Sequence, residues 1–186
     1  MPADPSLNPG PAPGLFRRLA AGFYDTLIVL AIWLLATLIA VIPFTRSHSF
    51  ESFYAHAPAL KILYQIGLLA LGYVFFAWFW IHGGQTVGMR AWQLQVVRTD
   101  GTPMDWYRAL LRYVALLIPW LLLLLSAELF VTSRQLHNAL PPRIFAGLVL
   151  IAALAGFLWP AFDPQRLGWQ DRLSRSRLLH APRRSS

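Results

Sequence analysis

The sequence contains no cysteine, one lysine and only eight acidic residues among its 186 residues. The lack of cysteine excludes disulfides, thiolate nucleophiles and cysteine metal sites, and it leaves the redox compartment undetermined. Charged residues make up 13% of the chain, whereas hydrophobic residues make up 56%. Because a soluble domain is about one quarter charged, this composition indicates an integral membrane protein, and the length favours a single compact unit.

The net charge of +8 has two readings. In a soluble protein, such an excess of arginine would indicate nucleic-acid binding. In a membrane protein, arginines in the loops set the orientation and bind anionic lipid headgroups. We therefore expect the bilayer and its anionic headgroups as partners, and no nucleic acid.

The two ends of the chain are expected to be disordered tails. Residues 1–14 are rich in proline, glycine and alanine, and they lack the apolar core of a signal peptide. Residues 181–186 have the composition of a disordered end. Residues 15–180 are then predicted to form one membrane domain.

Four apolar stretches are long enough to cross a bilayer, which takes about 20 helical residues. They are residues 19–42, 62–81, 113–131 and 144–162. The predicted fold class is therefore an all-α integral membrane protein with a four-helix transmembrane bundle. Pro119 lies inside the third stretch, where we expect a kink that neighbouring helices tolerate.

The distribution of basic residues predicts the orientation of the bundle. Twelve basic residues lie before the first stretch, between the second and third, or after the fourth, and four lie in the other two loops. Since basic loops stay on the cytoplasmic side, both termini and the second loop are predicted to be cytoplasmic.

The second loop is predicted to have structure of its own. Glycines in residues 83–88 allow sharp turns, and residues 92–96 alternate as a strand does. After a turn at residues 99–101, Thr102 is predicted to cap a short amphipathic helix, Met104–Arg112, at the membrane interface. The tail at residues 165–174 is predicted to return along the same surface.

The first stretch contains the most informative residue, Asp25, because a carboxylate inside a membrane helix is costly. Arg18, Ala21, Gly22 and Asp25 share one helix face, which the small residues open to a close neighbour. Arg18 and Asp25 are about 10 Å apart along the axis, too far to pair directly. Each is expected to pair elsewhere, and the candidate partners are four charged residues: Arg108, Arg112, Asp171 and Arg172.

Other chemistry is less well supported. Glu128, late in the third stretch, is a secondary carboxylate candidate, expected at the outer interface. The five histidines have no metal-ligand spacing, and the HExxH, GxSxG and Walker A patterns do not occur. We therefore expect no enzyme activity, no metal site and no cofactor.

Several motifs, taken in order, resemble the RDD family of bacterial membrane proteins. The resemblance begins with Arg17–Ala21 followed by Asp25, and it continues through a loop motif containing Gly84, Gln85, Thr86 and Gly88. It ends with residues 170–174. It implies that Arg18, Asp25 and Asp171 are the arginine and two aspartates of the family name, and that the protein lies in the bacterial inner membrane.

Two functions stay open at this point, and a third, a lipid- or peptide-binding membrane enzyme, is weaker because the sequence has no recognisable nucleophile–base set. In the first, Asp25 alternately binds a proton and a cation, as the antiporter role attributed to a few family members implies. In the second, the chain is a non-transporting scaffold or accessory subunit, and the charges are structural ion-pair residues. A small chain with four spans would act in transport as a homo-oligomer or together with a membrane partner protein.

Overall fold

The computed structural model describes residues 12–45, 58–100, 102–135 and 140–180. Within these ranges it contains four helices that are long and apolar enough to cross a membrane, two short helices and two strands. In chain order they are α1 (Leu15–Thr45), α2 (Pro58–His82), α3 (Val87–Ala91), β1 (Leu94–Arg98), α4 (Trp106–Gln135), α5 (Leu140–Phe162), α6 (Trp169–Leu173) and β2 (Ser176–His180). The predicted all-α membrane fold with four spanning helices is confirmed. The predicted tails at residues 1–11 and 181–186 lie outside the described residues, and residues 12–14 have no regular secondary structure.

The structure corrects the prediction of a separate interfacial helix before the third span. The predicted helix Met104–Arg112 and the third span form one continuous helix, α4. It begins after Asp105, whose Oδ1 accepts a hydrogen bond from the Arg108 amide at 2.8 Å, so Asp105 caps the helix in place of Thr102. Thr102 instead donates to Asp100 at 2.7 Å.

Small residues and hydroxyl groups fit the long helices together, as is usual in a bilayer, where apolar contact alone drives little association. Where α5 crosses α4, a side chain at Gly156 would begin 3.0 Å from the Pro119 ring, so glycine permits this close approach. Nearer the other end, the Ser126 hydroxyl donates to the Ala146 carbonyl oxygen at 2.9 Å. On the opposite side of α4, the Tyr113 hydroxyl donates to Leu69 of α2 at 3.0 Å.

The two strands pair antiparallel, from Leu94 opposite His180 to Arg98 opposite Ser176. The strand predicted at residues 92–96 begins two residues later, because Gln93 has a φ of +57° and turns the chain after α3. The sequence prediction missed β2, since it ended the returning tail segment at residue 174. The segment does return, as α6 followed by β2.

The two ends of the described chain meet at one end of the bundle. Arg17, in the first turns of α1, hydrogen-bonds His180 at the end of β2 at 3.0 Å. The described residues contain four spanning helices. Because this number is even, the chain returns to the side on which it started. There α3, β1, α6 and β2 form a small layer that we call the terminal layer, and it positions the site described next.

Candidate functional site

A buried ion cluster joins α1, α4 and the terminal layer. The Asp171 side chain is 0% exposed, and its two carboxylate oxygens bind two different arginines. Arg18 Nη1 donates to Oδ2 at 2.8 Å, and Arg112 Nη1 donates to Oδ1 at 2.6 Å. Arg18 Nη2 also donates to the Arg166 carbonyl oxygen at 2.7 Å. Three segments that are far apart in sequence are therefore held by one carboxylate.

Local structure also positions the Asp171 carboxylate. Asp171 lies in the first turn of α6, and its Oδ2 accepts the Gly168 amide at 2.8 Å, which satisfies a free helix N–H. Arg112 Nη1 also donates to the Ser176 hydroxyl at 2.7 Å, and Ser176 contacts the Ser174 hydroxyl at 2.7 Å. The serines thus satisfy polar groups that burial would otherwise leave unpaired.

The charges around Asp171 decide its ionisation. Burial alone would raise the pKa of this carboxyl group, because the charged form loses its hydration. The positive charges of Arg112 and then Arg18, together with the hydrogen bonds from Arg18 and Gly168, outweigh the burial. The pKa of Asp171 therefore lies below its ordinary value, and the cluster contains an ionised carboxylate at neutral pH.

Asp25 lies in a second buried site, made with the loop motif that follows α2. The residue is 2% exposed. Its Oδ2 accepts a hydrogen bond from the Thr86 hydroxyl at 2.5 Å, and its Oδ1 accepts the Gly88 amide at 2.8 Å. Thr86 Oγ1 in turn accepts the Met89 amide at 3.2 Å and so caps α3. Gln85, the other member of the motif, is half-buried next to Thr86.

Two positions of the loop motif require glycine for steric reasons. A Cβ atom on Gly88 would overlap the carbonyl oxygen of Ala21 and lie 2.9 Å from Asp25 Oδ1. The small face predicted on α1 therefore receives α3 of the terminal layer. Gly84 has a φ of +64°, and a Cβ atom there would lie 2.8 Å from the Val96 carbonyl oxygen. Only glycine fits both places without moving the backbone.

The structure corrects the partners expected for Asp25. Arg18 does bind one of the candidate residues, Asp171, but the hydrogen-bond partners of Asp25 are Thr86 and Gly88. The reason is the position of the two residues along the helix axis. Asp25 lies two helical turns further along α1 than Arg18, level with the beginning of α3. As expected, Arg18 and Asp25 bind different partners.

Three other candidate residues lie outside both sites. Arg108 contacts the exposed Asp105 at 3.5 Å within the first turn of α4. Arg172 is exposed and forms an ion pair with Asp163, at the end of α5. Glu128 is exposed near the far end of α4. Of the predicted charge cluster, the structure therefore brings together Arg18, Arg112 and Asp171.

Sequence reasoning missed the polar neighbours that complete the two sites. Thr86 belongs to the predicted loop motif. Its position just before a short helix is typical of a capping residue, and this is the signal that could have identified its role. Ser174 and Ser176 have no comparable signal, because their role depends on the pairing of β1 with β2. A pairing between strands so distant in sequence does not follow from either strand alone.

A cavity of about 500 Å³ lies between the two sites. Most of its wall is apolar side chains of the long helices, and its lining includes three of the charged residues: Arg18, Asp25 and Arg112. Both sites therefore border one space at the terminal-layer end of the bundle.

Among the described residues, four long apolar helices and a set of buried charges at the end that carries the terminal layer define a multi-pass membrane protein. The model of the RDD family matches residues 12–175, so the chain belongs to the RDD family. No curated protein and no solved structure matches the chain.

Proposed function

We propose that the protein is a non-transporting scaffold or accessory subunit of the bacterial inner membrane, in which Arg18, Asp25 and Asp171 are structural residues. The observation that carries the proposal is the buried cluster of Asp171 with Arg18 and Arg112. It joins the first helix, the third spanning helix and the terminal layer, which are the parts that a scaffold must hold in a fixed arrangement. No enzyme activity forms part of the proposal.

The energetics of buried charge support a structural role for this cluster. Arg112 is 1% exposed and Asp171 is 0% exposed, so the loss of either charge leaves the other one buried. Removing one partner of such a pair costs about 3–5 kcal/mol, because an uncompensated charge stays buried. A cluster of this kind stabilises one arrangement of the helices and opposes movement between them.

The contacts of Asp25 point in the same direction. Both carboxylate oxygens are engaged by the Thr86 hydroxyl and the Gly88 amide, which attach the beginning of α3 to α1. A carboxylate that exchanged a proton for a cation in each cycle would have to release these donors each time. The terminal layer would then lose one of its attachments in every cycle.

The charge of the terminal-layer end supports its placement at the cytoplasmic face. The described segments there, residues 12–25, 83–100, 102–112 and 163–180, contain ten arginines and five aspartates. By the positive-inside rule this end faces the cytoplasm, where its arginines would contact anionic headgroups. A scaffold in this orientation would present its terminal layer to a membrane partner protein or to a second copy of the chain.

The test is sodium- or potassium-driven proton flux in proteoliposomes, with the wild type and Asp25→Asn measured side by side. Both proteins are first checked for a single monodisperse peak in detergent. We expect neither protein to raise proton flux above that of protein-free vesicles. We also expect the unfolding temperature of Asp25→Asn to fall by only a few degrees, because asparagine keeps one acceptor for Gly88.

Cation-driven flux in the wild type would contradict the scaffold proposal. If that flux were lost in a well-folded Asp25→Asn protein, Asp25 would be a coupling residue and the protein a transporter.

One observation favours that second function, a cation/proton transport component. Asp25 lines the 500 Å³ cavity, so one side of this carboxylate borders a space in which an ion could be hydrated. Cation dependence of the flux, and not flux alone, is the result that would support this second function.

A further inference from the structure

The cavity at the terminal-layer end opens through the outer surface of the bundle. It lies between α1 and α5, which contact each other much less than α4 and α5 do. Four large apolar side chains in its lining are also exposed: Leu19 by 41%, Phe23 by 61%, Leu154 by 47% and Leu158 by 37%. Since the surface around these spanning helices faces lipid, the cavity is open to molecules of the bilayer.

The shape and chemistry of the wall suit an acyl chain. The lining along α1 runs from Leu15 to Thr26, about 16 Å at 1.5 Å per residue. Leu116 and Trp120 of α4 and Leu154 of α5 provide further apolar surface. A volume of about 500 Å³ lies within the range of cavities that enclose a small ligand.

Three unpaired N–H groups lie at the polar end of the cavity, among the described residues. They belong to side chains that line it: Arg18 Nε, Trp80 Nε1 and Arg112 Nε. Trp80 is 2% exposed, and the Arg112 guanidinium lies over its ring at 5.3 Å. Buried polar groups almost always have a partner, so these three donors favour a ligand that supplies an acceptor.

The charges at this end favour an anionic acceptor. Asp171 neutralises one of the two arginine charges in the cluster, and both oxygens of Asp25 already accept hydrogen bonds. Around them, the described segments of this end contain twice as many arginines as aspartates. Basic pockets between membrane helices on the cytoplasmic side are typical sites for anionic lipid headgroups.

We propose that the cavity binds one anionic phospholipid from the surrounding bilayer. Its phosphate would bind at Arg18 and Arg112, and one acyl chain would lie along the apolar wall between α1 and α5. The two Nε atoms are themselves covered, so the phosphate would contact the parts of the two arginine side chains that line the cavity. The proposal adds a ligand site to the scaffold and does not depend on whether the chain transports ions.

Two glycines provide a matched pair of variants to test the site. Gly22 lines the cavity and Gly147 does not, and both are exposed helical positions at which an added Cβ would meet nothing within 4 Å. Gly22→Phe should fill the cavity, and Gly147→Phe should place the same side chain in lipid. A second pair on the opposite wall is Leu154→Trp, inside the cavity, and Leu148→Trp, outside it.

The probes are phosphatidylglycerol, phosphatidylcholine with the same acyl chains, and inorganic phosphate. Each is added to the purified protein in detergent, and the number of bound lipids is counted by native mass spectrometry. We expect one phosphatidylglycerol per wild-type chain and at least tenfold weaker retention of phosphatidylcholine. We expect Gly22→Phe and Leu154→Trp to retain phosphatidylglycerol at least tenfold less than their matched controls.

Three results would each overturn the proposal. Equal retention of phosphatidylglycerol by the cavity variants and their controls would place the lipid elsewhere on the surface. Equal retention of the two lipids would remove any role for the arginines. Displacement of the bound lipid by millimolar inorganic phosphate would show a site for a free anion. Comparing each variant with its control at matched unfolding temperatures separates a filled cavity from a misfolded protein.

Discussion

Asp25 and Asp171 are two buried aspartates with nearly the same exposure and opposite surroundings. Asp171 is bound by two guanidinium groups at 2.8 and 2.6 Å. Asp25 is bound by a hydroxyl group at 2.5 Å and a backbone amide at 2.8 Å, both of them neutral. One site therefore depends on the charge of its carboxylate, and the other depends on the positions of two acceptor oxygens.

This difference gives different roles to two residues of the predicted charge cluster. At Asp171, a neutral side chain of the same shape would leave two buried arginines without a counter-charge. At Asp25, a neutral amide of the same shape can still accept from Gly88 and can donate to Thr86. Neutral substitution of each aspartate is therefore the most direct way to test the comparison.

The largest effect is expected for Asp171→Asn. The substitution keeps the volume of the side chain but leaves Arg18 and Arg112 buried without an anion, with side-chain exposures of 6% and 1%. We expect the free energy of unfolding to fall by about 3–5 kcal/mol. Unfolding by sodium dodecyl sulfate in mixed micelles measures this change.

Asp105→Asn is the matched control for this variant. Asp105 also lies near two arginines, Arg98 at 3.6 Å and Arg108 at 3.5 Å, but its side chain is 51% exposed. An exposed pair contributes at most about 1 kcal/mol, and asparagine can still cap α4. Similar losses in the two variants would mean that burial does not control the strength of the Asp171 cluster.

The next effect is a contrast between two substitutions at Asp25. Asp25→Ala leaves the Thr86 hydroxyl and the Gly88 amide buried without an acceptor, which costs about 1–3 kcal/mol for each group. Asp25→Asn keeps one acceptor and should cost about 0.5–1.5 kcal/mol, the net contribution of one ordinary hydrogen bond. The same detergent unfolding experiment measures both variants. A loss from asparagine as large as that from alanine would show that the charge of Asp25 is needed too.

Acid should weaken the Asp171 cluster selectively. Because folding lowers the pKa of Asp171, the ionised carboxylate stabilises the folded protein. This stabilisation is complete above the pKa of an aspartate in the unfolded chain, about 3.9. This stabilisation is lost as the pH falls through the pKa of Asp171 in the folded protein. Each unit by which folding lowers that pKa corresponds to about 1.4 kcal/mol of stability. We expect the difference in unfolding temperature between wild type and Asp171→Asn to be constant from pH 7 to 5 and to shrink below pH 4. A constant difference down to pH 3 would contradict the assignment.

The sequence predicted the long helices and the end of the bundle at which the charges lie. Hydropathy over about 20 residues is a strong local signal, and it located all four spanning helices, although α1 and α4 extend past their apolar cores. Arg18, Arg112 and Asp171 are also among the predicted charged residues, because Arg18 shares a helix face with Asp25 and the other two are candidate ion-pair partners.

The pairing within the two sites was harder to predict, because it depends on contacts between segments distant in sequence. Asp25 meets Thr86 only because Gly88 lets α3 approach the Ala21 backbone. The Asp171 cluster is completed by Ser176, which pairing of β2 with β1 brings beneath Arg112. Neither contact leaves a periodic pattern in the sequence.

The smallest effect is expected for Glu128→Gln, at the opposite end of the bundle. Glu128 is exposed on α4, so its carboxylate does not have the buried surroundings that make the two aspartates costly to replace. Substitutions of this kind usually change stability by no more than about 0.5 kcal/mol. We expect the unfolding temperatures of wild type and Glu128→Gln to agree within about two degrees. A loss approaching that of Asp171→Asn would mean that Glu128 is buried in an assembly, because only removal from water would give this carboxylate a comparable role.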